Sequence, residues 1–274
     1  MKTIIVIPVY KKELKPSEKA SLEQCAKVLN HFQIEIIYPQ GLDISNCEDV
    51  LKECGASYSF RVFDKKYFGD VFKYSHLLLD KDFYKLYSDY DFMLLYQLDA
   101  WVFKDELDYW ANIDYDYIGA PWFEDVDDEN SKIIERSGNG GFSLRKISSM
   151  IELLSTDYHV VLSLKEFFRK KKKERLVSNI ISAPFMFLKW LFQPDRFSTF
   201  WHNTDMYEDQ AIVYHSEYAM PKFKVALADE NYKFSFEVHP QRLYKMNNNE
   251  LPFGCHAFER YDFEFFKTVG GIEF

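Results

Sequence analysis

The sequence is poor in the features that mark several large classes of protein. Only 10 Gly and 9 Pro occur among 274 residues, so we expect no flexible linker or low-complexity segment. Basic residues (34) are outnumbered by acidic ones (43), and a net charge of -9 argues against binding to long nucleic acid. The four cysteines have no CxxC or zinc spacing, and no cleavage site follows Met1–Tyr10. We therefore expect reduced thiols and a cytoplasmic protein.

Aromatic residues, in contrast, are abundant. The chain has 26 Phe, 19 Tyr and 5 Trp, which together make up 18% of its residues. Because each packed ring buries enough apolar surface to offset its ordering entropy, this content predicts a globular protein. No internal repeat is evident, and the length suits one large domain spanning residues 1–274.

The hydrophobic pattern predicts an α/β fold with a mostly parallel sheet flanked by helices. An apolar strand, a helical pattern and a second strand follow one another within 40 residues, which is typical of a βαβ unit buried on both faces. Expected strands are 3–9, 34–38, 58–62, 92–98, 117–120 and 140–144, and expected helical segments are 17–29, 70–87, 147–154 and 207–216.

A basic and apolar segment interrupts this pattern between residues 160 and 200. Lys165–Arg175 carries seven basic and two acidic residues, and Leu176–Phe192 is rich in Phe, Leu and Ile. The segment is too short and too interrupted to span a bilayer. Two interpretations remain open: a helical insertion packed on the sheet with its basic face in water, or a peripheral membrane contact through residues 165–192.

An acid follows the most apolar strand of the sequence. Asp99 stands in the run Tyr96-Gln97-Leu98-Asp99, at the carboxyl end of the fourth predicted strand. Ligands of open parallel sheets bind outside the carboxyl ends of the strands, so a cation or a sugar hydroxyl could reach this side chain. A turn or capping role for Asp99 is the alternative.

Five motifs in order give the chain a resemblance to a known class of enzymes. They are Pro8-Val9-Tyr10 after the first strand, Gln97-Leu98-Asp99, Gly138-Asn139-Gly140-Gly141-Phe142-Ser143-Leu144-Arg145, Glu208-Asp209 and a late His256. This series resembles the GT-A class of nucleotide-sugar glycosyltransferases, and in particular a bacterial group with the strings YQLDAWVF and NGGFSLR. The resemblance implies a GT-A-like, Rossmann-type fold.

The resemblance also implies a divalent cation, Mn²⁺ or Mg²⁺, at a DxD-type motif. Asp99 matches the last acid of that motif, but Gln97 replaces the first, which weakens the expectation of metal dependence. Asp99 and His256 are the metal ligands that the class would supply, and carboxylate with imidazole suits manganese better than calcium. His256 could instead be a hydrogen-bonded core residue.

Glu208 and Asp209 match the acidic pair of the class and are the catalytic residues that the resemblance implies, with Asp209 as the general base toward the acceptor hydroxyl. Glu208 has a structural alternative, because Asp205-Met206-Tyr207-Glu208 has the form of a capping box.

The remaining site predictions also come from the resemblance. Pro8, Val9 and Tyr10 would frame the nucleotide base, with Lys73, Gln97 and Asp99 as further nucleotide contacts. Asn139, Gly140, Gly141 and Trp122 would face the sugar and the acceptor, although a plain hairpin turn also explains the glycines.

The predicted function is transfer of a sugar from a nucleotide diphosphate-sugar donor to a glycan or lipid-linked acceptor, as in surface polysaccharide synthesis. The predicted location is the cytoplasm or the inner face of the cell membrane. Two alternatives stay open: a sugar nucleotidyltransferase, and a catalytically silent binding protein that keeps the fold.

Overall fold

A computed structural model describes residues 1–160, 188, 191–192 and 199–274. The strands are β1 (Thr3–Pro8), β2 (Gln33–Pro39), β3 (Ser57–Phe63), β4 (Phe92–Tyr96), β5 (Trp101–Val102), β6 (Tyr117–Gly119), β7 (Phe142–Lys146), β8 (Ser235–Phe236) and β9 (Gly254–Cys255). The described helices are α1 (Pro16–Val28), α2 (Ser45–Glu53), α3 (Val71–Leu78), α4 (Lys81–Lys85), α5 (Leu107–Ile113), α6 (Ile147–Leu154), α7 (Phe200–Asn203), α8 (Glu208–Ala219), α9 (Ala228–Phe234), α10 (Pro240–Met246) and α11 (Phe263–Thr268), with a 3₁₀ turn at Lys65–Phe68.

The central sheet has the strand order β3-β2-β1-β4-β7-β6. The strands β3, β2, β1 and β4 are parallel, and β7 runs antiparallel to both β4 and β6. The expected mostly parallel sheet flanked by helices is therefore confirmed.

Alternation along β1 explains why both faces of the sheet are covered. Ile5 and Ile7 pack with the apolar face of α1, whereas Ile4 and Val6 pack with α3, α4 and α6 on the opposite side. These four side chains are at most 2% exposed. A strand buried on both faces needs apolar residues at every position, which is the continuous run seen in the sequence.

Three of the differences between the predicted and the observed bounds have a clear local cause. The helical stretch 70–87 is divided into α3 and α4, because Asp80 accepts a hydrogen bond from the amide of Asp82 and starts a new helix. The fourth strand ends at Tyr96, so Gln97 and Asp99 lie in the turn that follows it. Strand β7 begins at Phe142 rather than at residue 140, because the backbone groups of Gly140 bind side chains.

A second, three-stranded sheet of order β5-β9-β8 adjoins the carboxyl end of β4. Strands β8 and β9 are parallel, and Phe236 pairs with Cys255. Glu237 directly follows β8 and His256 directly follows β9, so this register brings their side chains together. Strand β5 pairs Trp101 with Cys255 and holds the turn that carries Asp99 close to the same point.

The predicted insertion at 160–200, and the membrane contact through 165–192, lie outside the described residues apart from Val160, Leu188, Leu191, Phe192, Thr199 and Phe200. Within the described part of the chain, every helix is too short or too polar to cross a bilayer.

Candidate functional site

A pocket of about 580 Å³ opens at the carboxyl ends of β1 and β4. Its walls come from the segment after β1, the start of α1, the segment before α3, the turn after β4 and the segment after His256. The lining residues are Pro8, Val9, Tyr10, Lys11, Leu14, Lys15, Glu18, Phe68, Gly69, Asp70, Val71, Tyr74, Gln97, Leu98, Asp99, Ala257, Glu259 and Arg260. Five residues predicted to bind the nucleotide, from Pro8 to Tyr10 together with Gln97 and Asp99, therefore share one cavity.

The segment after β1 gives this pocket an apolar wall with an aromatic rim. The Val9 amide donates to the Ile37 carbonyl at 2.9 Å, which extends the β1–β2 ladder by one residue. Val9 is buried, whereas Tyr10 is 63% exposed. An exposed ring beside a cavity can stack on a flat apolar ligand such as a nucleobase.

His256 links the turn after β4 to the second sheet. Its Nδ1 lies 3.0 Å from Oε1 of Glu237, and its Nε2 lies 3.3 Å from both Oδ1 of Asp99 and Oε1 of Gln97. His256 and Glu237 are buried, whereas the Asp99 side chain is 46% exposed toward the pocket. We refer to the three side chains that meet at Nε2 as the Gln97–Asp99–His256 cluster.

The two carboxylates control the protonation of this histidine. Burial alone would lower the pKa of His256, but the charges of Glu237 and Asp99 outweigh burial and raise it to about 10. In turn, burial raises the pKa of Asp99, but the hydrogen bond to His256 and the charges of His256 and Lys15 together outweigh burial, so that the pKa is lowered. These carboxylates favour the protonated ring, and a metal ion at Nε2 would replace one proton.

The cluster passes a simple test for metal binding. Among the residues that the structure describes, no three His, Cys, Asp or Glu side chains form a metal-binding group, so the third donor would be the amide oxygen of Gln97. Adjacent ligands on an octahedral ion with bonds of about 2.1 Å are roughly 3.0 Å apart. The 3.3 Å separations at Nε2 are close to that spacing and long for a charge-assisted hydrogen bond. The cluster therefore fits a divalent cation.

A glycine loop, Gly138–Gly141, lies against the cluster. Tyr96 pairs with Phe142 in the β4–β7 ladder, and the Gln97 amide donates to the Gly141 carbonyl at 2.8 Å. A Cβ at Gly141 would lie 2.0 Å from Nε2 of His256, and one at Gly140 would lie 2.4 Å from Oε1 of Glu208. Glycine is required at both positions because the space that a Cβ would take is already filled, by His256 at Gly141 and by Glu208 at Gly140.

The far side of the loop is held by the acidic pair at the start of α8. The amide of Gly140 donates to Oδ2 of Asp209 at 3.0 Å. Burial, followed by the charge of Glu208, raises the pKa of Asp209 to about 7. A carboxyl group with a pKa near neutrality can exchange protons at physiological pH, which suits a general base.

Glu208 is an ion-pair partner and not part of a capping box. Tyr207 is the N-cap of α8, with no side-chain hydrogen bond, so the alternative of a capping box formed by Asp205 and Glu208 is wrong. Oε1 of Glu208 lies 3.0 Å from Nη2 of Arg145, and Oε2 accepts from the Ser75 hydroxyl at 3.2 Å. Arg145 is fully buried, so satisfying its charge takes precedence over capping a helix.

A family comparison matches most of the chain. Residues 57–256 match a family described as "Protein of unknown function (DUF5672)". The chain belongs to this family. The range matched by DUF5672 begins at β3 and ends at His256, so it includes the cluster, the glycine loop and Asp209, but not the segment after β1. No curated protein matches the chain.

Several solved structures are weakly similar to this DUF5672 chain. Core-mannan synthase A from Aspergillus fumigatus, solved in its Mn/GDP form, is 9% identical, with 84% of this chain and 72% of that one covered and a TM-score of 0.44. The glycosyltransferase GlyE of Streptococcus pneumoniae is 14% identical (93% and 54% covered; TM-score 0.41). A cytidylyltransferase from Leptospira borgpetersenii is 14% identical (64% and 72% covered; TM-score 0.35).

Two predicted contacts of the DUF5672 chain are not among the residues that line the pocket. Lys73 is in α3, and its Nζ is 3.2 Å from the exposed side chain of Asp70, which does line the pocket. Trp122 is half-buried and packs on Tyr214 with the ring centroids 5.6 Å apart. Asp209 and Gly140 also do not line the pocket; Asp209 binds the Gly140 amide, and the neighbouring Gly141 carbonyl accepts from the amide of Gln97, which does line it.

The sequence interpretation missed Glu237, which contacts both His256 and Asn139. One signal could have identified it: Phe234, Phe236 and Val238 alternate with Ser235 and Glu237, the pattern of a short strand with one polar face. Arg145 was present in a recognised motif, but its pairing with Glu208 depends on tertiary packing.

Proposed function

We propose that this protein is a glycosyltransferase that moves a sugar from a nucleotide diphosphate-sugar to an acceptor hydroxyl. The observation that carries this proposal is the pocket at the ends of β1 and β4, which Asp99 and Gln97 line. The Gln97 amide binds Gly141 of the glycine loop, and the amide of Gly140 in that loop binds Asp209. A nucleotide site next to a carboxyl group of raised pKa supplies the two parts that sugar transfer needs.

The donor would bind with its nucleotide against the segment after β1. Pro8 and Val9 offer an apolar wall, and Tyr10 offers an exposed ring for the base. Lys15 and Arg260 also line the pocket, and Lys15 is near enough to Asp99 to lower the pKa of that carboxyl group. These two cations would meet the charge of the diphosphate.

A cation would be held by Asp99, Gln97 and His256, and when bound it would offset the negative charge that develops on the leaving diphosphate. The chain's own side chains and backbone would fix the geometry around it. Glu237 and Gly141 determine where the His256 ring lies, and the turn after β4 carries Asp99 and Gln97 to the same point.

Asp209 would take the proton of the acceptor hydroxyl. As that O–H bond breaks, the acceptor oxygen forms a bond to the anomeric carbon, and the bond from that carbon to the phosphate oxygen breaks. The products are the glycosylated acceptor, a nucleoside diphosphate and a protonated Asp209. This scheme inverts the anomeric centre.

Asn139, Gly140 and Gly141 would border the sugar and the acceptor, because they separate the cluster from Asp209. Trp122 remains a proposed sugar contact and has no support from the pocket. The acceptor would be a glycan or a lipid-linked glycan. Membrane contact through residues 165–192 and a location at the inner face of the membrane stay predictions.

A nucleotidyltransferase is the alternative enzyme, since it would share the open sheet and the cation. Those enzymes usually have a glycine-rich basic loop after the first strand, whereas Tyr10–Leu14 reads YKKEL and contains no glycine. A silent binding protein is the third possibility, favoured by Gln97 in place of an acid.

One experiment distinguishes the three candidate functions. The protein is incubated with Mn²⁺ and a panel of sugar nucleotides, and separately with Mn²⁺, nucleoside triphosphates and sugar phosphates. We expect the wild-type protein to release nucleoside diphosphate from a sugar nucleotide, and Asp99→Asn to lose this activity. Asp108→Asn, which changes an exposed acid of α5, is the control and should keep it. Release of pyrophosphate from a nucleoside triphosphate would favour the nucleotidyltransferase. Binding without either product would favour the binding protein.

A further inference from the structure

The hydrogen bonds around Asn139 determine which way its side chain points. Oδ1 of Asn139 accepts from the amide of Gly141 at 2.7 Å. A backbone amide can only donate, so this atom must be the carbonyl oxygen, and the other end of the side chain is the NH₂ group. That NH₂ group lies 3.2 Å from Oε1 of Glu237.

The same oxygen of Glu237 therefore accepts hydrogen bonds. Oε1 receives the Asn139 amide and lies 3.0 Å from Nδ1 of His256. An oxygen that accepts from both neighbours requires a proton on Nδ1. The contacts from Gly141 through Asn139 to Glu237 thus assign a donor role to one nitrogen of the imidazole ring.

The other nitrogen faces two oxygen atoms. Nε2 of His256 lies 3.3 Å from Asp99 Oδ1 and 3.3 Å from Gln97 Oε1. The ring cannot turn away, because His256 is buried and the backbone of Gly141 lies against Nε2, Cδ2 and Cε1. A ring with its Nδ1–H bound to a carboxylate and its Nε2 turned toward oxygen ligands is the arrangement of metal-binding histidines.

We propose that Glu237 is a positioning residue for a divalent cation, and that Gln97 supplies the third ligand beside Asp99 and His256. Glu237 holds the proton on Nδ1 and leaves Nε2 as the coordinating atom. The inference rests on the proposed function only in taking the cation to be the one that serves the donor diphosphate. One carboxylate, one amide oxygen and one imidazole nitrogen favour Mn²⁺ over Ca²⁺, which prefers six to eight oxygen ligands.

Mn²⁺ titration without nucleotide, with free Mn²⁺ measured by electron paramagnetic resonance, tests the proposal independently of activity. We expect Glu237→Gln to weaken Mn²⁺ binding by about 10-fold and Glu237→Ala by up to about 100-fold, the range found for residues that orient metal ligands. Gln97→Ala is expected to weaken binding as well. Circular dichroism and thermal unfolding establish that each variant is folded.

Glu35→Gln is the matched control. Glu35 is a buried carboxylate on β2 that accepts from the Tyr87 hydroxyl at 2.6 Å and pairs with Arg61. Glu35→Gln is expected to lower stability without changing Mn²⁺ affinity. The comparison therefore distinguishes a positioning role of Glu237 from the general effect of losing a buried charge. In Mg²⁺-loaded wild-type protein, long-range ¹H–¹⁵N spectra should show His256 with its proton on Nδ1 alone.

Unchanged Mn²⁺ affinity in Glu237→Gln and Glu237→Ala, or no Mn²⁺ binding by wild-type protein at millimolar concentration, would overturn the proposal. Failure of this positioning proposal can be told apart from failure of the proposed glycosyltransferase function. Turnover of sugar nucleotides with Glu237 variants of normal Mn²⁺ affinity would remove only the positioning role. Mn²⁺ binding that depends on Glu237, without turnover of any sugar nucleotide, would remove only the transferase.

Discussion

Replacing Gly141 by alanine should disturb the site through His256 alone. The new Cβ would lie 2.0 Å from Nε2 and 2.5 Å from Cδ2 and Cε1 of that ring. Nonbonded heavy atoms pack at about 3.5–4.0 Å, so the ring would have to retreat by roughly 1.5 Å. The backbone cannot easily retreat instead, because Gly141 bonds to Gln97 at 2.8 Å and to Asn139 at 2.7 Å.

The magnitude follows from the cost of inserting a methyl group into a packed site. Overpacking destabilises by about 1–3 kcal/mol. Moving the ring also breaks its contact with Glu237, and a hydrogen bond to a charged group contributes about 1.5–3 kcal/mol. We expect Gly141→Ala to lower the free energy of unfolding by roughly 2.5–6 kcal/mol and to abolish Mn²⁺ binding.

A double-mutant cycle with His256→Ala isolates the cause. In the His256→Ala background the ring is absent, so Gly141→Ala should cost less than about 0.5 kcal/mol. Urea unfolding of the wild type, the two single variants and the double variant measures the coupling. Additive costs, or a mild Gly141→Ala with normal Mn²⁺ affinity, would refute the close approach of the glycine loop to His256.

Three further predictions concern other parts of the site. The initial rate of wild-type turnover should rise with pH through about 7 as Asp209 ionises, and a pH profile with no inflection near 7 would argue against this base. The free energy of unfolding of the wild type should fall between pH 4 and 7, and Asp209→Asn should remove most of that fall together with the turnover. That fall has this sign because the raised pKa makes the folded state bind more protons than the unfolded state in this window. Glu208→Gln should destabilise by about 3–5 kcal/mol in urea unfolding, because it leaves the fully buried Arg145 without its partner; a loss under about 1 kcal/mol would contradict a buried ion pair. Tyr10→Ala should raise the Kd for nucleoside diphosphates by about 10-fold in calorimetry, since stacking on a base contributes about 1–3 kcal/mol, whereas the equally exposed Tyr109→Ala should leave it unchanged; equal effects would argue against stacking.

The sheet and its direction could be predicted because each buried strand carries its own signal. The apolar run of β1, from Thr3 to Pro8, has no polar alternation, and it is buried on both faces. Helix α6 has the predicted bounds, Ile147–Leu154, because its apolar residues recur at helical spacing. The two-residue strands β5, β8 and β9 escaped prediction because two residues show no period.

The site could be predicted only where a residue follows a recognisable strand or belongs to a motif. Asp99 and Gln97 follow β4, and both line the pocket. Glu237 contacts His256 through the pairing of β8 with β9, which joins segments with no local relation in sequence. Likewise, the partner of Glu208 is Arg145, a residue 63 positions away, and local capping rules therefore gave the wrong partner. The single domain of residues 1–274 stays a prediction.

A crystal structure with Mn²⁺ and a nucleoside diphosphate tests the central claim most directly. We predict the nucleotide in the pocket beside Tyr10, with its diphosphate next to Asp99. An anomalous Mn²⁺ peak should lie among Asp99 Oδ1, Gln97 Oε1 and His256 Nε2. A nucleotide bound elsewhere, or a Mn²⁺ peak away from these atoms, would contradict the account.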